Sequence, residues 1–222
     1  MQEHSFILET EAVEYLRRFN IPYPDHALAA TADDAAAAAA KIGFPVVLKI
    51  VSPQVVHKSE AGGVAVGLKT EDEVKAAAAK IFENVRAHVP GADIKGLLVC
   101  SQAGSGVEVI VGGLRDGIFG PAVMVGLGGI FTEILKDVAF RVYPLSEDDA
   151  LAMLKDLKGY PLLDGARGRL PIDQKALAKL IVAVAKLMND CPEVTELDLN
   201  PVIAYPDRIL PVDARISVKQ PE

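Results

Sequence analysis

The run Pro-Val-Val-Leu-Lys-Ile-Val at 45–51 constrains the fold more than any other stretch of the chain. A continuous apolar run of this length, without helical or alternating period, predicts a strand buried on both faces. A lone charge in such surroundings is costly unless something compensates it, so Lys49 calls for an anionic partner or a path to solvent. The same pattern recurs down the chain. The Gly62-Gly63 pair opens an apolar segment, Glu108 interrupts Val-Glu-Val-Ile-Val, Asn200 closes Leu-Asp-Leu-Asn, and Asp213 stands in Ile-Leu-Pro-Val-Asp.

At 222 residues the chain is long for one simple domain and short for two independent ones. A compact chain of this size buries roughly 70% of its unfolded surface, so it needs no covalent staples. Its two cysteines, Cys100 and Cys191, form no disulfide framework, and Cys100 lies in an apolar run as a small hydrophobe. A net charge of −7 argues against duplex DNA or an anionic membrane as partner. The first residues carry acids and no long apolar core, and no later stretch is long enough to span a bilayer. These features predict a cytoplasmic, soluble protein that binds neither nucleic acid nor membrane.

Local signals divide the chain into strands and helices. Val13, Leu16 and Phe19 predict a short amphipathic helix over 9–19, and Pro22 and Pro24 force extended or turned chain after it. Thr31 caps a predicted helix through the alanine tract to about Ile42, and Gly43 stops it. Strands are predicted at 45–51 and 63–68, and Thr70 with Glu73 reads as a capping box before a helix containing Val74, Ala78, Ile81 and Val85. Segments 96–100 and 107–111 read as strands joined by the Gly104-Ser105-Gly106 turn, with further strands at 121–125 and 138–143. Helices are predicted at 146–158 and from Asp173 onward, separated by an irregular loop at 159–171. Strands near 195–200, 201–205 and 209–213 close the chain. The mix predicts an α/β or α+β fold without a flexible joint, in two lobes: about 24–97, and about 98–222 with the 9–19 helix packed on it.

Several residues have two readings at this level. Lys49 reaches phosphate, or snorkels from an edge strand. The glycines of His57-Lys58-Ser59-Glu60-Ala61-Gly62-Gly63-Val64 let N–H groups converge on an anion, or make an ordinary hairpin. His57 is a nucleophile toward phosphorus, or a solvated loop histidine. Glu108 faces solvent at an edge, or meets ribose hydroxyls or magnesium. The Gly126–Glu133 stretch is a helix N-terminal anion site or a tight turn, and Glu133, Asp137 and Arg141 form a solvated face or part of a site. Strand period places Glu196, Asp198 and Asn200 on one face and Leu197 and Leu199 on the other, with Asp213 in the next strand. Such an oxygen-rich face suits a cation, or is the exposed side of a sheet. Lysine and glycine amides suit phosphate, and carboxylate and amide oxygens suit magnesium, so the series as a whole predicts a nucleotide-binding enzyme.

In that order the residues resemble the ATP-grasp superfamily, and more closely the β subunit of NDP-forming acyl-CoA synthetases such as ADP-forming acetyl-CoA synthetase. The β subunit of succinyl-CoA synthetase is a more distant likeness. The resemblance runs through GFPVVLKIVSPQVVHKSEAGGV, VEVIVGGLRDGIFGPAVMVGLGGIFTEILKDVAFRV, GARGRLPID and TELDLNPV, and so covers nearly the whole chain. The HKSEAGGV and GLRDGIFGP segments mark the acyl-CoA synthetase branch. The resemblance implies an ATP-grasp fold with nucleotide bound between two lobes. It implies Lys49 on the nucleotide phosphates and Gly62, Gly63 and Val64 as a phosphate loop. Val99, Cys100 and Ser101 would line the adenine hinge, where the family commonly reads Val-Gln-Glu-Met. Glu108 would meet ribose or metal, Asn200 and Asp213 would bind Mg2+ with Asp198 in support, and His57 would carry phosphate.

The implied reaction converts acyl-CoA, ADP and phosphate to acid, CoA and ATP through an acyl phosphate and a phosphohistidine. A CoA-binding α subunit, or a fused segment, would supply the rest, in an α2β2 assembly. Two alternatives stand beside this expectation: another ATP-grasp carboxylate ligase, and a non-catalytic nucleotide-sensing regulatory module.

Overall fold

A computed structural model gives the structure and describes residues 4–129, 136–168 and 170–219. The chain divides into two compact units, Pro24–Gly104 and Met1–Tyr23 with Ser105–Glu222. The boundary falls later than the 97/98 break expected from sequence. Strand Gly96–Ser101 (β5) sits inside the smaller sheet and cannot be cut from it.

In the smaller unit a four-stranded antiparallel sheet has the order β2-β5-β3-β4, with β2 at His26–Ala29, β3 at Val46–Val51 and β4 at Val64–Leu68. Two helices, α2 (Ala32–Ile42) and α3 (Glu71–His88), pack on one face. Thr31 accepts a hydrogen bond from the Asp34 N–H, and Gly43 ends α2 at φ +97°. Thr70 accepts from the Glu73 N–H, while the Glu73 carboxylate accepts from the Lys69 N–H, one residue before the cap. Val46, Leu48, Ile50, Leu97 and Val99 join Ala35, Ala36, Ala39, Val74, Ala78 and Ile81 in one core. Alternation along β3 therefore puts Val47 and Lys49 on the face away from the helices.

The larger unit holds, among the described residues, a seven-stranded antiparallel sheet. Its path is β1 (His4–Phe6), β11 (Arg215–Lys219), β9 (Val194–Ala204), β6 (Val107–Asp116), β7 (Gly120–Leu127) and β8 (Val138–Val142), with β10 (Ile209–Pro211) also on β9. Helix α1 (Glu9–Arg18) adds Ala12 and Leu16 to the core. Helices α4 (Glu147–Lys155), α5 (Tyr160–Leu163) and α6 (Gln174–Asp190) add Met153, Leu154, Leu163, Leu177, Ile181 and Val184. Ser146 and Asp149 form a reciprocal capping box before α4, and Asp173 accepts from the Ala176 N–H before α6. All these strand pairings are antiparallel, so the α+β expectation holds over α/β.

Several expected boundaries move. β9 is one strand where two were expected, because a bulge absorbs Asn200-Pro201. The 159–171 loop contains α5 and a turn of 3-10 helix at Ala166–Gly168. Segments β5 and β6 belong to different sheets, so the Gly104-Ser105-Gly106 stretch is no hairpin turn. Strands β1, β2 and β11 were not expected. Residues 130–135, including Glu133 and the helix start expected after Gly129, lie outside the described residues, as does Arg169 of the GARGRLPID segment.

Candidate functional site

Lys49 is central in its sheet. It pairs with Val64 on β4 and with Leu98 on β5, and it is 7% exposed. The edge-strand reading therefore fails, since ladders flank β3 on both sides. The pairing also gathers the other expected residues of this unit. Val46, Val47 and Leu48 stand opposite Ser101, Cys100 and Val99, and the Ile50 N–H donates to the Gly63 carbonyl at 2.8 Å. Cys100 shares the face of Lys49, whereas the Val99 side chain lies in the helix-side core and offers only its backbone. The hinge amides are occupied: Ser101 N–H donates to the Asp25 carbonyl at 2.8 Å and Gln102 N–H to that of Pro45 at 3.0 Å.

The Gly62-Gly63 pair is explained first by packing. Gly62 has φ +63°, and a Cβ there would lie 2.6 Å from Asn84 Nδ2; one on Gly63 would lie 2.5 Å from Ile50 Cγ2. Their amides do not converge on open space. Gly62 N–H donates to the Ser59 carbonyl at 3.1 Å and Gly63 N–H to that of Lys58 at 2.7 Å. Asn84 Nδ2 donates to the Gly62 carbonyl at 3.2 Å, a support from α3 that no local sequence signal marks. In this conformation the loop is closed on itself. His57 is 66% exposed, with Nδ1 3.9 Å from Glu60 Oε1, beyond hydrogen-bond range.

In the larger unit the carboxylates lie on the sheet face away from the helices. Leu197 and Leu199 are buried in the core, and Glu196, Asp198 and Asn200 alternate with them toward the other side. Asp198 stands opposite Gly112 on β6 and Arg215 on β11. Burial pushes its carboxyl above the usual carboxylate range, the negative charges of Asp213 and Glu196 push the same way, and Arg215 opposes them. The β9 bulge places Asn200 and Pro201 opposite Ile110, a device that re-aims side chains beside many sites. Asp213 lies in the connection after β10, not in a strand, and the Val212 N–H ties that connection to the Pro201 carbonyl at 3.0 Å. Glu108 is exposed on β6, and its close approach explains Gly128, whose Cβ would come 2.7 Å from Glu108 Cβ and 3.1 Å from the Glu108 carbonyl oxygen.

The Asp137 and Arg141 expectation is corrected. Asp137 is buried and accepts from the Lys158 and Gly159 N–H groups, both at 2.8 Å, while Arg141 lies on β8 and pairs with Asp156. Both serve packing. Arg215 is the site neighbour that sequence reading missed, because it becomes visible only through the β11–β9 register.

These donors fit magnesium. Among the described residues no group of three or more His, Cys, Asp or Glu forms a metal cage. Magnesium needs none, since it takes one or two carboxylates with waters and phosphate oxygens. A cation beside Asp198 would offset the burial, and the smaller push of Asp213 and Glu196, that raise its pKa.

The chain is similar to known proteins along nearly its whole length. The ATP-grasp domain family matches residues 1–218. Over 214 residues the chain is 48% identical to the acetate–CoA ligase [ADP-forming] I subunit beta of Pyrococcus furiosus, covering 96% of this chain and 92% of that one. A Ca. Korarchaeum cryptofilum dinucleotide-forming acetyl-coenzyme A synthetase 1, solved with coenzyme A, Ca-AMPCP and HgCl+, superposes at TM-score 0.94 and 50% identity, covering 97% of this chain and 94% of that one. The same synthetase solved with coenzyme A and Mg-AMPPCP, its phosphohistidine segment pointing towards the nucleotide binding site, gives TM-score 0.85 at 46% identity, covering 97% and 93%. With a match over almost its full length and relatives this similar, the chain belongs to the ATP-grasp family, on the branch of the ADP-forming acetate–CoA ligase β subunits.

Proposed function

We propose that this chain is the nucleotide-binding β subunit of an ADP-forming acyl-CoA synthetase. It works with a CoA-binding α subunit to convert acyl-CoA, ADP and phosphate to acid, CoA and ATP. The observation that carries this reading is the placement of Lys49, a buried cation central in the smaller sheet, directly opposite the strand that follows the Gly62-Gly63 loop. Lys49 holds nucleotide phosphate oxygens, where burial strengthens its attraction for them. Val99, Cys100 and Ser101 border the base, and Glu108 meets ribose or metal. Asp198, Asn200 and Asp213 hold Mg2+, which when bound neutralises charge on the moving phosphoryl group. His57 accepts that group. The Gly62 and Gly63 amides reach phosphate only after releasing the Ser59 and Lys58 carbonyls, so nucleotide binding opens the loop. The relatives support the partner: one is a β subunit by name, and another was solved twice with coenzyme A and a nucleotide analogue.

The test is transfer of label from γ-labelled ATP with Mg2+ to the purified chain, beside His57→Ala. Acid-labile, alkali-stable label on the wild type and none on the variant is the expected result. Equal label on both would remove His57 from the reaction. Absence of label even with the CoA-binding subunit present would remove the phosphoryl-transfer reading.

A further inference from the structure

The GLRDGIFGP segment has no part in nucleotide binding as proposed above, yet it is built with care. Asp116 Oδ1 accepts from the N–H groups of Ile118 and Phe119 at 2.7 and 2.8 Å, and these bonds hold its carboxyl below the usual carboxylate range. Gly120 turns the chain at φ +74° into β7. Behind the tip, Arg115 donates to the carbonyls of Val194 and Cys191 at 3.1 and 3.0 Å and also to that of Met188, anchoring the hairpin to the end of α6. This scaffold presents Ile118 at 88% and Phe119 at 68% exposure. Single exposed apolar residues are ordinary, but two large ones on a braced tip are not.

The tip continues into a sheet face whose apolar side chains stay exposed among the described residues. Register aligns Glu196, Leu114, Ala122 and Val142 in one row across β9, β6, β7 and β8, and Asp198, Gly112, Met124 and Phe140 in the next. Leu114, Phe140 (60% exposed) and Val142 are open to solvent. One face thus runs from the carboxylates at its β9 side to an apolar patch at its β8 side, and on to the Ile118-Phe119 tip.

We infer that this patch is the docking surface for the CoA-binding α subunit. The inference rests on the reading of the chain as a nucleotide-binding β subunit and names where its partner sits. Continuity with the carboxylate row favours this occupant, because a partner seated on the patch lies along the same face as the groups proposed to hold the metal. Charge favours it over a second copy. The patch is flanked by Glu196 and Asp198 on a chain of net charge −7, which suits a partner whose apolar surface has a basic rim.

The test uses the full chain, with the source organism's CoA-binding subunit as probe. Sedimentation velocity measures association for wild type, Ile118→Asp/Phe119→Ser at the tip, and Leu114→Thr/Val142→Thr on the strands. Calorimetry measures Mg-ATP binding for each. The expected result is that association weakens at least about 100-fold in both variants, as for loss of interface hot spots, with Mg-ATP affinity and melting temperature unchanged. Association equal to wild type in both variants overturns the inference. So does a concentration-dependent self-dimer that the substitutions abolish while α-subunit binding persists. A wild-type chain that binds Mg-ATP but not the α subunit overturns both the docking surface and the subunit assignment, whereas failure to bind Mg-ATP, with association intact, condemns only the nucleotide reading.

Discussion

The two units of this chain are built alike, but the site residues proposed in each carry opposite charge. Each lays helices on one face of an antiparallel sheet and carries its proposed site residues on the other. The smaller unit places a cation, Lys49, deep in a central strand. The larger places Glu196, Asp198 and Asn200 along a strand whose oxygens stay partly solvated. The difference follows from the ligands each would hold. A lysine gains grip on phosphate as water is removed, because the attraction grows when the local dielectric falls. Magnesium gives up its waters reluctantly, so its carboxylates must leave room for solvent. One sheet design serves both by changing how deep the charge sits.

The largest expected effect comes from the buried cation. Lys49→Met keeps most of the side-chain volume and removes the charge. Turnover with the CoA-binding subunit should fall about 10²- to 10³-fold, the usual loss when one preorganised charge-stabilising donor is removed. The melting temperature should hold or rise, because apolar replacement of a buried ion is often neutral or stabilising. A variant that unfolds easily yet turns over normally would make Lys49 structural and break the comparison.

Asp198→Asn tests the other side. Mg2+ affinity should fall on the order of 10- to 100-fold, as isothermal titration would read. The metal-free protein should become more stable at neutral pH. Burial, with Asp213 and Glu196, raises the Asp198 pKa in the fold. A carboxyl raised in this way contributes stability that is present below its unfolded pKa and lost as pH climbs through the folded value. At neutral pH its charge is therefore a burden that asparagine removes. Magnesium binds the ionised form, so wild-type affinity should also weaken as pH falls into the carboxylate range. If the variant bound Mg2+ as well as wild type, the carboxylate row would be only a solvated sheet face.

How far sequence reaches is clear from these same residues. Thr31, Thr70, Ser146 and Asp173 all cap the helices expected of them, because a cap is satisfied within a few residues. The residue types of the site were legible too, since a charge inside an apolar run is conspicuous. What failed depends on distant partners. The three-residue strand His4–Phe6 exists only because Arg215–Lys219 pairs with it, and Arg215 meets Asp198 only through the β11–β9 register. Asn200-Pro201 looked like a strand end, yet a bulge carries β9 through it. The glycine loop was the subtler case. Gly62-Gly63 pointed to open amides, and the structure spends those amides on Ser59 and Lys58.

The glycines give a smaller, matched pair of effects. In the smaller unit, Gly63→Ala would push a Cβ to 2.5 Å from Ile50 Cγ2 and 3.0 Å from the Lys58 oxygen. In the larger, Gly128→Ala would push one to 2.7 Å from Glu108 Cβ and 3.1 Å from its carbonyl oxygen. Each should cost about 1–3 kcal/mol in denaturant unfolding, the usual range for overpacking. Gly104→Ala meets nothing within 4 Å and should stay within about 0.5 kcal/mol of wild type. A Gly104 effect as large as that of Gly63 would show that backbone freedom, not close approach, explains these positions.

The smallest effect sharpens how the larger unit holds its metal segment. Tyr23, at the end of the first stretch of that unit, donates its hydroxyl to the buried Glu9 carboxylate and lies 3.5 Å from the Val212 carbonyl. Val212 precedes Asp213, so the α1 region and the proposed metal oxygen are linked through one phenol. Tyr23→Phe keeps the ring that packs on the core and deletes the hydroxyl. Stability should drop by about 1 kcal/mol, the net worth of a typical intramolecular hydrogen bond. If the link positions Asp213, Mg2+ affinity should drop a few-fold as well, with Mg-free nucleotide binding unchanged. A purely structural tyrosine would lower stability and leave the Mg2+ titration where it was. The smaller unit offers the control: Asn84→Ala removes the side chain bonded to the Gly62 carbonyl and should alter nucleotide affinity without touching Mg2+. Opposite responses from Tyr23 and Asn84 would show that each unit positions its own charge by its own supporting side chain.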